Sequence, residues 1–124
     1  MLDTNAVRAL VEGRSPRLDG WFAEQRCCLS AIVVAEIRFG LERRPSSAAW
    51  VAVVEGLLDA MEVLSWTQGC ALTYGRLRAD LERNGTPLAA MDLLIASHAL
   101  SEGCTLISAD QAFAQVSGLS LEVW

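Results

Sequence analysis

The sequence predicts an α/β fold, a parallel sheet wrapped by helices. Two observations lead there. Short apolar runs of strand length alternate with longer segments whose apolar residues recur at helical spacing, the pattern of strands joined by crossover helices. The 124 residues are 52% apolar and 20% charged, which suits one compact domain over 1–124 with a real core. No internal repeat, low-complexity segment or linker interrupts it. No apolar run has the length of a membrane span. The first residues, M-L-D-T-N, lack the basic and apolar regions of a signal peptide, so a cytoplasmic location is expected.

The elements follow in order. Met1-Leu2 ends a short strand, and a short helix runs from Asp3-Thr4-Asn5 to about Glu12. G-R-S-P breaks it, and Pro16 opens a second helix to about Gln25, since proline suits the first helical position. Residues 27–30 are a strand candidate, and Ser30 then suits an N-cap. Val33, Val34, Ile37 and Leu41 form the stripe of the next helix. Pro45-Ser46-Ser47 ends that helix and caps another, carrying Trp50, Val53, Val54, Leu57 and Leu58. A strand is expected at 63–66. Cys70, Tyr74, Leu77 and Leu81 mark a helix that Asn84-Gly85 stops. Thr86-Pro87 then supplies an N-cap and a first residue for a helix that is apolar nearly all round. Residues 104–108 are a strand, 111–115 a short helix, and 119–123 a last strand.

Composition removes several chemistries. Cys27, Cys28, Cys70 and Cys104 include no C-x-x-C pair, and the single His98 has no Cys or His at ligand spacing. A zinc site is not expected, and reduced thiols are. All ten basic residues are Arg, with no Lys. A P-loop needs its Lys, and one His without G-x-S-x-G leaves little for a serine-hydrolase triad. The net charge of −5 counts mildly against a nucleic-acid binder, whereas arginine is the better residue for bidentate phosphate contacts.

What remains is acids, six Asp and nine Glu. In open parallel sheets, sites form at the carboxyl ends of the strands. Asp3 directly follows the first strand and Asp110 follows the strand at 104–108. Glu36 lies about two turns into its helix, and Asp92 between one and two turns into the helix from Pro87. Four carboxylates in one crevice raise each other's pKa, and a divalent cation resolves the conflict. All-oxygen donors select Mg²⁺ or Mn²⁺ over zinc, the arrangement for metal-assisted phosphodiester hydrolysis. Each acid also has a plain reading. Asp3 and Asp110 suit N-caps, and Glu36 could pair with Arg8 or Arg38. Asp92, inside an apolar helix, is the hardest to assign to structure alone, because a buried charge needs a partner.

These residues resemble a known family. L-D-T-N at 2–5, L-S-A-I-V-V-A-E-I-R-F-G-L at 29–41, G-T-P-L-A-A-M-D-L-L-I-A-S-H-A at 85–99, L-I-S-A-D-Q-A-F at 106–113 and S-G-L-S-L-E-V-W at the end are similar, in order and spacing, to PIN-domain ribonucleases. In particular, they resemble the VapC-type toxins of bacterial toxin–antitoxin pairs. The resemblance implies a three-layer α/β/α sandwich with a central parallel sheet. It implies an endoribonuclease dependent on Mg²⁺ or Mn²⁺ that leaves 5′-phosphate and 3′-hydroxyl ends. Asp3, Glu36, Asp92 and Asp110 would be the metal-site acids, with Asn5 and Ser108 supporting them. A homodimer and an antitoxin that blocks the active site are the implied partners. One departure stands at Ser108-Ala109-Asp110, where relatives commonly carry Thr followed by Asn or Asp.

An RNA substrate needs cations against its phosphates. Arg8, Arg38 and Arg43-Arg44 are nearest the acids, while Arg38 could instead neutralise Glu36. Arg76 and Arg78 each precede an acid by four residues, Asp80 and Glu82, and suit surface ion pairs. Trp50 and Trp66 could stack a base, though apolar spacing favours core packing. Two other functions compete. D-T-N invites comparison with D-x-D phosphatases, but position 5 is Asn. A PIN-like fold can also be a binding module without catalysis, and the presence of all four acids argues against that here.

Overall fold

The computed structural model describes residues 1–43 and 46–124. Its strands are β1 (Cys28–Ser30), β2 (Glu62–Leu64), β3 (Leu106–Ile107) and β4 (Leu121–Glu122). β1 pairs with β2 in parallel, Leu29 opposite Val63, and β3 pairs with β4, Leu106 opposite Leu121. Leu2 joins the two pairs, bridging in parallel to Leu29 on one side and Ile107 on the other. The Leu2 N–H donates to Cys28 O at 3.0 Å, the Asp3 N–H to Ile107 O at 3.1 Å and the Ile107 N–H to Met1 O at 2.8 Å. The sheet therefore runs β2–β1–Leu2–β3–β4. The chain moves one way from Leu2 to β2, then jumps back to β3, so the order reverses beside Leu2.

The helices are α1 (Thr4–Val11), α2 (Pro16–Ala23), α3 (Ala31–Arg43), α4 (Ala48–Asp59), α5 (Gln68–Arg83) and α6 (Ala90–Ser101), with a 3₁₀ turn at Gln111–Gln115. α1 packs against α2, α3 and α4, while α5 packs against α6. Right-handed crossovers set α1–α4 on one face of the sheet and α5–α6 on the other. Covered on both faces, the centre of the sheet takes apolar side chains, while the edge strand β2 exposes Glu62 and Val63. Leu2, Leu29 and Leu106 are fully buried, as are Val33 of α3 and Ile95 of α6. Each such leucine contributes about 2 kcal/mol by burial.

Local chemistry sets the boundaries. Pro16 opens α2 as expected, and Ser15 caps it by accepting from the Leu18 N–H. Ser47 caps α4 and Thr67 caps α5. Ser30 Oγ accepts from the Ile32 N–H at 3.0 Å, the capping role read from the sequence. Arg44 and Pro45, placed at the end of the third helix, lie outside the described residues. β1 lies inside the expected strand and one residue shorter, β3 and β4 lie inside theirs and three residues shorter, and β2 begins one residue before the expected 63–66 and ends two residues before its end.

The entry to α6 departs from expectation. Gly85, at φ 70°, closes α5 with two bonds: its own N–H donates to Glu82 O and the Thr86 N–H to Leu81 O. This paired closure ties Thr86 to the end of α5. The next helix begins at Ala90, capped by Ala89 without a side-chain bond. Asp92 lies in its first turn rather than its second.

α2 closes the same way, with Gln25 at φ 55° where α1, α5 and α6 use Gly13, Gly85 and Gly103. Its N–H donates to Phe22 O and the Arg26 N–H to Trp21 O. A residue with a Cβ is strained in this region by about 1 kcal/mol. Gln25→Gly is expected to stabilise the protein by about 0.5 kcal/mol, after the added unfolded-state entropy is subtracted. Denaturant titration measures this, and a loss of stability would show that the Gln25 side chain contributes more than the strain costs.

The four cysteines are free thiols, Cys70 buried and the other three half-buried. Burial pushes the Cys27 and Cys104 thiols up, so both stay protonated at neutral pH. Among the described residues no helix is long and apolar enough to cross a membrane.

Candidate active site

Leu2 and β3 end side by side where the strand order reverses. Asp3 and Ser108 follow them directly, the place where open α/β sheets form sites. Asp3 is 4% exposed and fully engaged. Its Oδ1 accepts from the Ala6 N–H at 2.6 Å, capping α1, and its Oδ2 accepts from the Ser108 hydroxyl. Ser108 Oγ in turn accepts from the Asp110 N–H at 3.0 Å, and Asp110 caps the 3₁₀ turn through the Ala112 N–H at 2.8 Å. The capping roles of Asp3 and Asp110 are thus real. They also fix both carboxylates, because a cap holds its side chain against one helix end.

Electrostatics connect the four acids. Burial raises the Asp92 pKa first, and the charges of Asp110, Glu36 and Asp3 raise it further. Burial likewise raises Asp3; the Ser108 and Ala6 hydrogen bonds oppose this, and the Asp110 charge adds to it. α6 brings Asp92 to the group from its first turn, where the free N–H groups favour negative charge. α3 brings the half-buried Glu36. Asp110 is exposed at the rim.

One contact was not read from the sequence. Thr4 Oγ1 donates to Glu36 Oε2, so the first residue of α1 orients the carboxylate from α3. The two positions lie 32 apart, beyond any local pattern. Asn5 is exposed, and its backbone N–H favours the ionised form of Asp3.

A cleft of about 280 Å³ runs beside Glu36, between α1, α3 and α4, with Thr4, Arg8 and Trp50 on its walls. Trp50 is 36% exposed, so it is not the core residue its spacing suggested. Trp66 is half-buried and meets Tyr74 and His98 edge-on. Arg38 pairs with Glu55 of α4 rather than with Glu36. Arg43 is exposed at the end of α3. Arg78 pairs with Glu82 at 2.8 Å as expected, whereas Asp80 pairs with Arg83 instead of Arg76.

The PIN domain model matches residues 1–119. The chain belongs to the PIN-domain family. It is 32% identical to the tRNA(fMet)-specific endonuclease VapC of Salmonella typhimurium, across the whole of this chain and 96% of that protein. It is equally similar to ribonuclease VapC2 of Haemophilus influenzae, at 32% over the same shares. Among solved structures, the DNA-bound VapBC of Salmonella typhimurium superposes with a TM-score of 0.92, at 32% identity over 100% of this chain and 96% of the other. The PIN-domain nuclease relation agrees with the α/β architecture and with a site built from carboxylates at strand ends. PIN-domain nucleases generally use a divalent metal, and the donor set fits one. It is all oxygen, and neighbouring acids raise the pKa of Asp92 and of Asp3, a conflict that a cation removes.

Proposed function

We propose that this chain is an endoribonuclease of the VapC type, the toxin of a toxin–antitoxin pair acting in the cytoplasm. It hydrolyses RNA phosphodiesters to leave 5′-phosphate and 3′-hydroxyl ends. The observation that carries this reading is that the Asp92 carboxylate, near the reversal point of the sheet, feels the charges of Asp110, Glu36 and Asp3. Asp3, Glu36, Asp92 and Asp110 would hold Mg²⁺ or Mn²⁺. When bound, such an ion supplies charge stabilisation to phosphate oxygens in the transition state. Asp3 is aimed by Ser108 and the start of α1, and Glu36 by Thr4. Because these carboxylates are held by other groups before substrate arrives, little reorganisation accompanies reaction. The exposed Arg8, on the cleft wall beside Glu36, is the cation best placed for a substrate phosphate. Arg43 extends the basic character along α3, and Arg38 does so only if it leaves Glu55.

The relatives support an antitoxin partner. The similar structures from Salmonella typhimurium and Rickettsia felis are VapBC assemblies bound to DNA. An antitoxin that covers the carboxylates would silence the enzyme, and a second copy of this chain would complete a homodimer. Phe39 of α3 and Val53 of α4, both exposed, give these faces apolar area for association.

The test compares cells expressing this chain with cells expressing Asp92→Asn. New 5′-phosphate ends at a few RNA sites, absent with the variant, are expected. The Salmonella typhimurium relative is named for tRNA(fMet), so tRNA is the first substrate class to inspect. With purified protein, EDTA should abolish cleavage and Mg²⁺ or Mn²⁺ should restore it. Identical end profiles from equal amounts of folded protein would favour a binding module without catalysis.

A further inference from the structure

His98 is fully buried, and its Nε2 has no hydrogen-bond partner. Nδ1 meets Ser30 Oγ at 2.8 Å. The Ser65 backbone favours the charged ring but stands outside hydrogen-bond geometry. A buried polar atom left unpaired costs about 1–3 kcal/mol, so the free nitrogen calls for a physical reason.

Its neighbours supply one. A His98 ring nitrogen, Cys70 Sγ and a Glu102 carboxylate oxygen all lie within 4.8 Å of one another. His98 and Glu102 are four residues apart and share one face at the end of α6. Cys70 enters from the first turn of α5. Cys70 Sγ is 3.7 Å from Glu102 Oε1. Bond lengths to zinc of about 2.3 Å for sulfur and 2.0 Å for oxygen, at a tetrahedral angle, separate those two atoms by about 3.5 Å. The Thr67 hydroxyl lies 3.3 Å from Cys70 Sγ. Glu102 is exposed, so an ion has a path from solvent.

We propose that Cys70, His98 and Glu102 form a second divalent-cation site, of the zinc class, that ties the start of α5 to the end of α6. Thiolate, imidazole and carboxylate are zinc ligands, softer than the all-oxygen set around Asp3. Ser30 fits the outer-shell partner of a ligating imidazole, holding Nδ1 while Nε2 is free to bind. Burial lowers the His98 pKa, leaving the ring neutral as a ligand must be. Glu102 lies ten residues beyond Asp92 on α6, about 15 Å along the axis, so the two sites are separate.

The test adds Co²⁺ to the reduced, full-length protein. One equivalent is expected to produce a thiolate-to-cobalt charge-transfer band and the visible bands of tetrahedral cobalt, which Zn²⁺ displaces and Mg²⁺ does not. Asp92→Asn should keep the bands, Cys70→Ser should lose the charge-transfer band, and Glu102→Gln should weaken binding at least about tenfold. Far-UV circular dichroism checks the fold of each. If Cys70→Ser fails to fold, Glu102→Gln, at an exposed position, decides alone. No band with the wild type, a band that survives Cys70→Ser, or unchanged affinity in Glu102→Gln would each overturn the site and leave His98 as an unsatisfied core residue.

Discussion

Asp92→Asn is expected to reduce RNA cleavage by about 10³-fold and, in the absence of metal, to raise thermal stability. Both effects have one cause. The Asp92 carboxyl sits above its ordinary value of 3.8 because burial disfavours its charge and Asp110, Glu36 and Asp3 repel it. Between the unfolded value and the raised native one, the native state binds more protons than the unfolded state. Stability therefore falls as pH rises through that window, and the loss is complete above it. At neutral pH the metal-free protein carries the full repulsion. Asparagine keeps the shape and removes the charge. Asp92 is half-buried, so solvent screens the effect, and the gain is on the order of 1 kcal/mol, or about 4 °C in Tm for a domain of this size. A divalent ion reverses the ranking: millimolar Mn²⁺ should stabilise the wild type more than Asp92→Asn, because it binds the native state alone. Thermal unfolding from about pH 4 to pH 8, with and without Mn²⁺, reads every part of this. A metal-free variant less stable than the wild type at pH 7 would mean that Asp92 serves the fold, and retained cleavage would remove it from the active site.

The parts of this protein visible in its sequence are those that depend on near neighbours. Ser15-Pro16 and Ser47 cap helices because a hydroxyl reaches an N–H three residues on. Asp3 and Asp110 could be placed at strand ends because an apolar run stops just before each. The start of α6 could not, since Thr86-Pro87 carries a good cap signal that the closing turn of α5 had already taken through the Thr86 N–H. The Thr4–Glu36 bond and the Cys70, His98 and Glu102 cluster join residues 32 and 28 positions apart. Ligand-spacing rules see only one element at a time, so a cluster drawn from two helices lies outside them. Trp50 misled in the opposite direction. Its apolar helical position points toward a core, but α1, α3 and α4 leave a cleft there.

Ser108→Ala is expected to leave the maximal rate nearly intact while weakening metal dependence by about 10–100-fold, the usual cost of removing a hydrogen bond that orients a ligating group. Asp3 is almost fully buried, and the Ser108 hydroxyl is the largest of the interactions that lower its pKa against that burial. Without it, Asp3 Oδ2 loses its donor and the Asp3 pKa rises further. A proton then competes with the cation at a higher pH. The acid limb of the rate profile should move upward, and the half-saturating Mn²⁺ concentration should rise most below neutral pH. Excess Mn²⁺ or higher pH should rescue the variant, whereas neither can rescue Asp92→Asn, which has lost a donor outright. Ser108→Thr keeps the hydroxyl, so it should behave as the wild type. The same hydroxyl also accepts from the Asp110 N–H, and the alanine variant therefore loosens the 3₁₀ turn that positions the fourth acid. Rates measured across Mn²⁺ concentration at several pH values separate the outcomes. A lower maximal rate with unchanged metal dependence would show that Ser108 acts on the substrate and not through Asp3.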